Sequence, residues 1–206
     1  RYSLQGRLSN GLTNVFADKI TCNSPAVRDT LKRWERWMAG GESIDIVYTG
    51  VDAEETRAAQ NISWSVRDVD AVPDSGLLVG HAGRLIEAKQ QDVLIRGVAE
   101  AARQTDAEVT LVIAGDGDKR ASLEQVAIEE EFEENVIFLG QIPRERAFKL
   151  MGDVDVFAMP SKWEGFSSSA TEAMSVGTPC VFSDIQAFRA PFDGAAKFHL
   201  VGDSDQ

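Results

Sequence analysis

From residue 77 onward, short apolar runs alternate with longer segments whose apolar positions recur at helical spacing. The runs stand at 77–81, 108–114, 135–139, 154–159 and 179–182, with a last one over 195–201. Helical patterns fill 89–103, 119–130 and 143–151, and a segment of small residues runs from about Ser167 to Val176. Strands separated by helices of about 10–15 residues predict an α/β fold with a parallel, doubly wound sheet. The runs are near-continuous rather than alternating, as in strands buried on both faces. Their crossovers are expected to be right-handed.

The first 76 residues are less regular. Asn10-Gly11 reads as a turn, and Lys19 to Cys22 as a short strand. Asn23-Ser24-Pro25 reads as an N-cap with proline at the first helical position. One helix is predicted from Pro25 to Met38, with Val27, Leu31, Trp34, Trp37 and Met38 on an apolar face expected to pack against a core, a membrane or partner surface being the alternative, and with Gly40-Gly41 as its stop. Ile44 to Tyr48 is a strand, followed by Thr49-Gly50-Val51-Asp52. Residues 53–76 are polar, end in Pro73-Asp74-Ser75-Gly76, and predict a linker. The expected organisation is a tail of a preceding domain (1–43), a strand and linker (44–76) and one domain over 77–206.

The chemistry concentrates between Val154 and Asp184. Pro160 ends a strand, a loop carries Glu164, and the helix that follows carries Glu172, with Gly177 as its stop and Pro179 behind it. A parallel strand delivers Glu164 to the carboxyl edge of the sheet, where open α/β sheets bind ligands. The unpaired N–H groups of Ser167, Ser168 and Ser169 at the helix start attract an anion. Arg84 follows the first strand of the domain and Lys89 opens the next helix, so both reach the same edge. A charge-assisted hydrogen bond contributes roughly 1.5–3 kcal/mol and a helix terminus about 0.3–1 kcal/mol, so two cations dominate a phosphate site there. Spacing alone leaves these residues as ligand-binding groups or as solvated surface charges.

The same stretch resembles the signature of the retaining glycosyltransferase family 4, enzymes of GT-B fold. The resemblance rests on Pro160-Ser161, Glu164-Gly165-Phe166, Glu172-Ala173-Met174, Gly177 and Pro179, with the E-x7-E spacing intact, and on Gly83-Arg84-Leu85 with Lys89. Thr49-Gly50-Val51-Asp52 is similar to the turn before the interdomain linker of those enzymes. Two family glycines are replaced, by Ser167 and Gln90. The resemblance implies that residues 77–206 are the C-terminal, donor-binding domain of a GT-B enzyme, that 1–43 are a remnant of its N-terminal acceptor domain, and that the C-terminus is truncated. It implies transfer of a sugar, with retention, from a UDP-, GDP- or ADP-sugar to a sugar or lipid-linked acceptor in glycan, polysaccharide or glycolipid synthesis. Arg84 and Lys89 would hold the diphosphate and neutralise the leaving group, and Glu164 would hold sugar hydroxyls. The backbone of Gly165, Phe166, Ser167 and Ser168 would lie beside the sugar, and Glu172 would accept from the ribose. Gly140, Gln141 and Ile142 would hold the base. No cofactor or metal is required in that family. Half of such an enzyme is expected to be inactive alone, because closure of both domains assembles the site. Two alternatives stand beside this reading: a nucleotide-sugar 2-epimerase on the same scaffold, and a non-catalytic nucleotide-binding module.

Composition narrows the partners. Lys and Arg number 21 against 33 Asp and Glu, a net charge of −12, which argues against nucleic acid. No stretch reaches transmembrane length, so a cytoplasmic protein is expected, with any peripheral attachment to the inner membrane face left to the missing part. Cys22 and Cys180 lie in apolar runs without metal or redox spacing. The D-x-D pairs Asp68-Asp70, Asp116-Asp118, Asp153-Asp155 and Asp203-Asp205 are common in so acidic a chain, and only Asp116-Asp118 stands at a strand end. Gly115-Asp116-Gly117 lacks the third glycine of a dinucleotide fingerprint. His81 and His199 read as structural, and Trp163 as packed under its loop.

Overall fold

The computed structural model describes residues 19–38 and 44–201. The expected turn at Asn10-Gly11, the stop at Gly40-Gly41 and the Asp203-Asp205 pair lie outside the described residues. The chain divides into two units, Arg1–Thr49 and Gly50–Gln206.

In the first unit, β1 (Ile20–Cys22) pairs in parallel with β2 (Ile44–Ile46). The single helix expected over Pro25 to Met38 is two, α1 (Pro25–Thr30) and α2 (Arg33–Met38). Ser24 caps α1 as expected, its hydroxyl accepting from Val27 N–H at 3.1 Å. Leu31 is then extended, with φ −70° and ψ 129°. The Glu35 carboxylate accepts from Lys32 N–H at 2.6 Å and starts α2, as an acidic residue at the third helical position does. The restart resets the helical phase, so the continuous apolar stripe does not form: Trp37 is 78% exposed, whereas Glu35 is buried.

The second unit opens with α3 (Ala53–Gln60), where polarity had predicted linker. The Asp52 carboxylate accepts from Glu54 N–H at 2.8 Å and Glu55 N–H at 3.2 Å, which pairs the orphan donors of the first turn. Thr56 and Ala59 are buried, and Val66 and Val72 enter the core. Hydropathy missed this segment because its few apolar residues are small or isolated.

Beyond it run β3 (Leu77–Ala82), α4 (Gln91–Arg103), β4 (Val109–Ala114), α5 (Arg120–Glu129), β5 (Val136–Gly140), α6 (Arg144–Asp153), β6 (Val156–Met159), α7 (Ser168–Ser175), β7 (Cys180–Ser183), α8 (Gln186–Phe192) and β8 (Lys197–His199). Only α8 had no predicted counterpart. The six strands are all parallel, in the order β5-β4-β3-β6-β7-β8, a doubly wound sheet. Alternation along each strand fills two cores, one on each face. On β4, Leu111 and Ile113 join Leu85, Leu94 and Ile95. Val112 and Ala114 join Phe157, Met159, Phe182 and Phe188. Each fully buried Leu, Ile or Phe contributes about 1.5–3 kcal/mol by leaving water. No helix among the described residues is long and apolar enough to cross a membrane.

Two of the D-x-D aspartates are structural. Asp155 accepts from Leu78 N–H at 2.8 Å. Asp153 accepts from Ser65 Oγ at 2.8 Å, Val66 N–H at 3.0 Å and Lys149 Nζ at 2.6 Å, and so ties the segment after α3 to α6. Asp153→Ala strands the N–H of fully buried Val66 and should cost about 3 kcal/mol. Urea denaturation measures this, and a loss under about 1 kcal/mol would remove Asp153 as the tie.

Candidate functional site

From β3 the chain builds outward through β4 to β5, then crosses back so that β6 pairs on the other side of β3 and β7 and β8 continue away from it. The loops after these two strands therefore diverge at the carboxyl edge and leave a crevice. That crevice is a cavity of about 350 Å³, lined by Gly83, Arg84 and Lys89 from one loop and by Trp163, Glu164, Phe166 and Ser167 to Ser169 from the other.

Several bonds shape the first loop. Gly83 N–H donates to Ala114 O at 2.9 Å, Leu85 N–H to Asp116 O at 3.0 Å, and Lys119 N–H to Leu85 O at 3.1 Å. The loops after β3 and β4 thus lie back to back, and the glycine at 115 permits it. A Cβ on Gly115 would stand 1.9 Å from Gly83 O, and its φ of +128° suits only glycine. The Gly115-Asp116-Gly117 turn packs against the neighbouring loop, its second glycine likewise set close to Leu85 O.

Beneath this loop, His81 is fully buried. Its Nδ1 lies 2.9 Å from Ala158 O and therefore carries the hydrogen. Nε2 then accepts from Gln91 Nε2 at 3.2 Å, and the same amide donates to Arg84 O at 2.9 Å. A polar chain runs from β6 through β3 and the start of α4 to the arginine's carbonyl. Burial, with a smaller push from Lys89, lowers the His81 pKa to about 4. Gln91 had no signal in the sequence beyond its place after Lys89.

Lys89 does not open α4; it closes a 3-10 turn, Glu87–Lys89. Gln90 follows with φ 48° and ψ 44°, the left-handed conformation that explains glycine at this point of the family pattern. The Gln90 Oε1 is buried without a hydrogen-bond partner.

In the second loop, Ser183 Oγ on β7 donates to Ser161 O at 2.5 Å, and Ser161 Oγ donates to Glu164 Oε1 at 2.8 Å. Lys89 Nζ stands 2.6 Å from the same carboxylate oxygen. The two residues expected to contact different parts of a ligand are thus paired with each other across the crevice. An ammonium has three donors, so Lys89 can keep Glu164 and still reach a phosphate. Trp163 is 65% exposed rather than packed under the loop. The backbone beside it is tied to the 3-10 turn by Lys162 N–H to Ala88 O at 2.9 Å, which leaves the ring outside the core. Ser167 caps α7, its hydroxyl accepting from Ala170 N–H at 3.3 Å.

Glu172 is buried, and Arg144 Nη2 lies 2.9 Å from its Oε1. Burial pushes its carboxyl pKa up against the pull of Arg144. Glu172, Gly140, Gln141 and Ile142 do not line the cavity; Gly140 ends β5 with φ +66°, and Ile142 packs on the core.

Residues 63–193, more than half of the chain, match the model of the glycosyl transferases group 1 family. The chain belongs to the glycosyl transferases group 1. It is 28% identical over 157 residues to the O-antigen biosynthesis glycosyltransferase WclY of Escherichia coli, covering 76% of this chain and 42% of that protein. It is 30% identical over 175 residues to the putative glycosyltransferase EpsF of Bacillus subtilis (strain 168), covering 82% and 45%. Among solved structures, Anabaena Alr3699/HepE in complex with UDP superposes with a TM-score of 0.78 at 25% identity, over 100% of this chain and 56% of that one. The fold of this group 1 chain is that of one half of a GT-B glycosyltransferase, and it spans about half the length of these relatives.

The His81 geometry predicts an acid sensitivity. The depressed folded-state pKa means that stability is present above the unfolded value of 6.5 and is lost as pH falls towards 4. Between pH 7.5 and 5 this residue should account for about 2 kcal/mol. Urea denaturation of the unaltered chain and of His81→Gln at both pH values checks this, the variant being the flatter. Gln90→Gly, which removes the left-handed strain and the orphan oxygen, should stabilise by about 1 kcal/mol in the same assay. A destabilised variant would contradict the strain.

Proposed function

We propose that this chain is the donor-binding half of a retaining glycosyltransferase that takes its sugar from a UDP-sugar, in the synthesis of a polysaccharide such as an O-antigen. The carrying observation is the meeting of Arg84, Lys89, Glu164 and the α7 N-terminus on one cavity at the switch point of the sheet. The UDP complex of the Anabaena protein and the O-antigen role of the E. coli relative support the choice of donor and pathway.

Arg84 and Lys89 take the diphosphate, with N–H groups at the start of α7 beside them. Negative charge grows on the diphosphate as the bond to the anomeric carbon breaks, so these cations hold the transition state more strongly than the ground state. Glu164, held by Ser161 and Lys89, accepts from sugar hydroxyls near the reacting carbon. Glu172 accepts from the ribose, and the backbone of Gly140 to Ile142 holds the base. The leaving phosphate takes the proton of the acceptor hydroxyl, which needs no nucleophile from this chain. The acceptor, a sugar or lipid-linked glycan, belongs to the partner domain, so this chain binds donor without transferring it. Neither the epimerase nor the non-catalytic module has an observation in its favour.

Calorimetric titration with UDP, GDP and ADP tests the reading. UDP should bind with a Kd between about 1 μM and 1 mM. Arg84→Ala should weaken it by about 10- to 100-fold, the loss of one charge-assisted contact. Equal binding of UDP by Arg84→Ala would remove the arginine from the site, and binding of GDP or ADP alone would change the donor.

A further inference from the structure

The Glu172 carboxylate does not stand alone. Arg144, at the first position of α6, reaches it at 2.9 Å through Nη2. The Nε of the same guanidinium lies 2.9 Å from Glu55 Oε1 on α3. The guanidinium also lies over the Phe148 ring, 4.9 Å from its centroid. Three elements, one of them a helix that polarity had hidden, meet on one cation. Arg144 is half exposed, and such a pair ordinarily contributes little to stability. Glu172, by contrast, has a side chain only 9% exposed. For a carboxylate out of water, the nearest cation decides whether the charged form persists.

Position ties this cluster to the cavity. Ser168 lines the cavity, and Glu172 stands one turn further along α7, on the same helix face. One turn is about 5.4 Å, comparable with the reach from a nucleotide's phosphate to its ribose hydroxyls. A carboxylate recognises a pair of hydroxyls best when ionised, since it then accepts both bonds with charge assistance. Arg144 supplies the opposing charge at 2.9 Å from one carboxylate oxygen, and its own direction is set by the hydrogen bond from Nε to Glu55. Oε2 is not the oxygen that Arg144 contacts.

We infer that Arg144 is a positioning residue for ribose recognition: clamped by Glu55 and Phe148, it holds Glu172 ionised and oriented for the hydroxyls of a nucleoside diphosphate. This rests on the proposed role of Glu172. The second carboxylate makes the device more than a neutralising pair, because Glu55 takes the neighbouring nitrogen, Nε, of the same guanidinium and so brings α3 to the cation that faces Glu172.

The experiment is calorimetric titration of UDP and of inorganic pyrophosphate into the unaltered chain, Glu172→Gln, Arg144→Gln and Arg144→Lys. Glu172→Gln and Arg144→Gln should each weaken UDP by about tenfold while pyrophosphate binding stays within twofold. Arg144→Lys should recover part of the loss, since it restores charge without the fork. Loss of pyrophosphate binding in Arg144→Gln would mean general damage and overturn the inference. If Glu172→Gln weakens UDP and Arg144→Gln does not, the clamp is refuted while the ribose role of Glu172 stands. If neither variant weakens UDP, or the unaltered chain binds none, the underlying reading fails and the inference with it.

Discussion

The contact of β3 with β6 is the constraint on which the site depends. It is short, pairing Val79 with Val156 and Gly80 with Phe157. Asp155 lengthens it at one end, its N–H donating to Leu78 O at 2.9 Å while its carboxylate accepts from Leu78 N–H. His81 lengthens it at the other end through Ala158 O. Gly80 makes the approach possible, since a Cβ there would stand 2.9 Å from both Val154 methyls. With the two strands locked, their loops must leave in different directions, and the space between them is the cavity. Any change that separates these strands would move Arg84 away from Glu164 before it touched a ligand.

Charge is distributed over this frame with little surplus. Lys89 faces Glu164 and Arg144 faces Glu172, so each expected ligand carboxylate already has a cation. Among the described residues the exposed Arg84 guanidinium makes no ion pair within the chain, which leaves it available to an arriving anion. The Lys89–Glu164 pair is held at 17% and 11% side-chain exposure, where lost hydration offsets much of the Coulomb attraction. Such a pair contributes more to orientation than to stability. An anion entering this cavity would meet one arginine outside any ion pair among the described residues, one lysine with donors to spare and a helix terminus, within a chain whose net charge is −12.

The polar supports were the least legible part. Glu164 and Lys89 stand out through spacing and charge, but nothing in their neighbourhoods foretells that they touch. Gln91 and Ser183 are ordinary polar residues in sequence. One joins His81 to the arginine loop and the other anchors Ser161 from the next strand. An aromatic residue in a loop packs inward by default, but Trp163 stays exposed beside a backbone tied by Lys162 N–H to Ala88 O, a contact that local sequence does not register. Helix α3 was missed because it is held by an Asp52 cap and a few small buried residues, which hydropathy does not register.

By itself, the sequence determined the class of the fold, the alternation of its elements and the stretch that carries the chemistry. Those are local properties: apolar runs buried on both faces, helical periodicity, a glycine stop, and a spacing of carboxylates that a short helix preserves. Only the tertiary structure decided which loops share a cavity, because that follows from the strand order β5-β4-β3-β6-β7-β8 and not from distance along the chain. It also decided the partners of each charge. Residues 75 apart, Lys89 and Glu164, meet within 2.6 Å, and Glu55 and Glu172 share one guanidinium. Coulomb attraction and desolvation act over a few ångströms of space, and folding alone sets those distances.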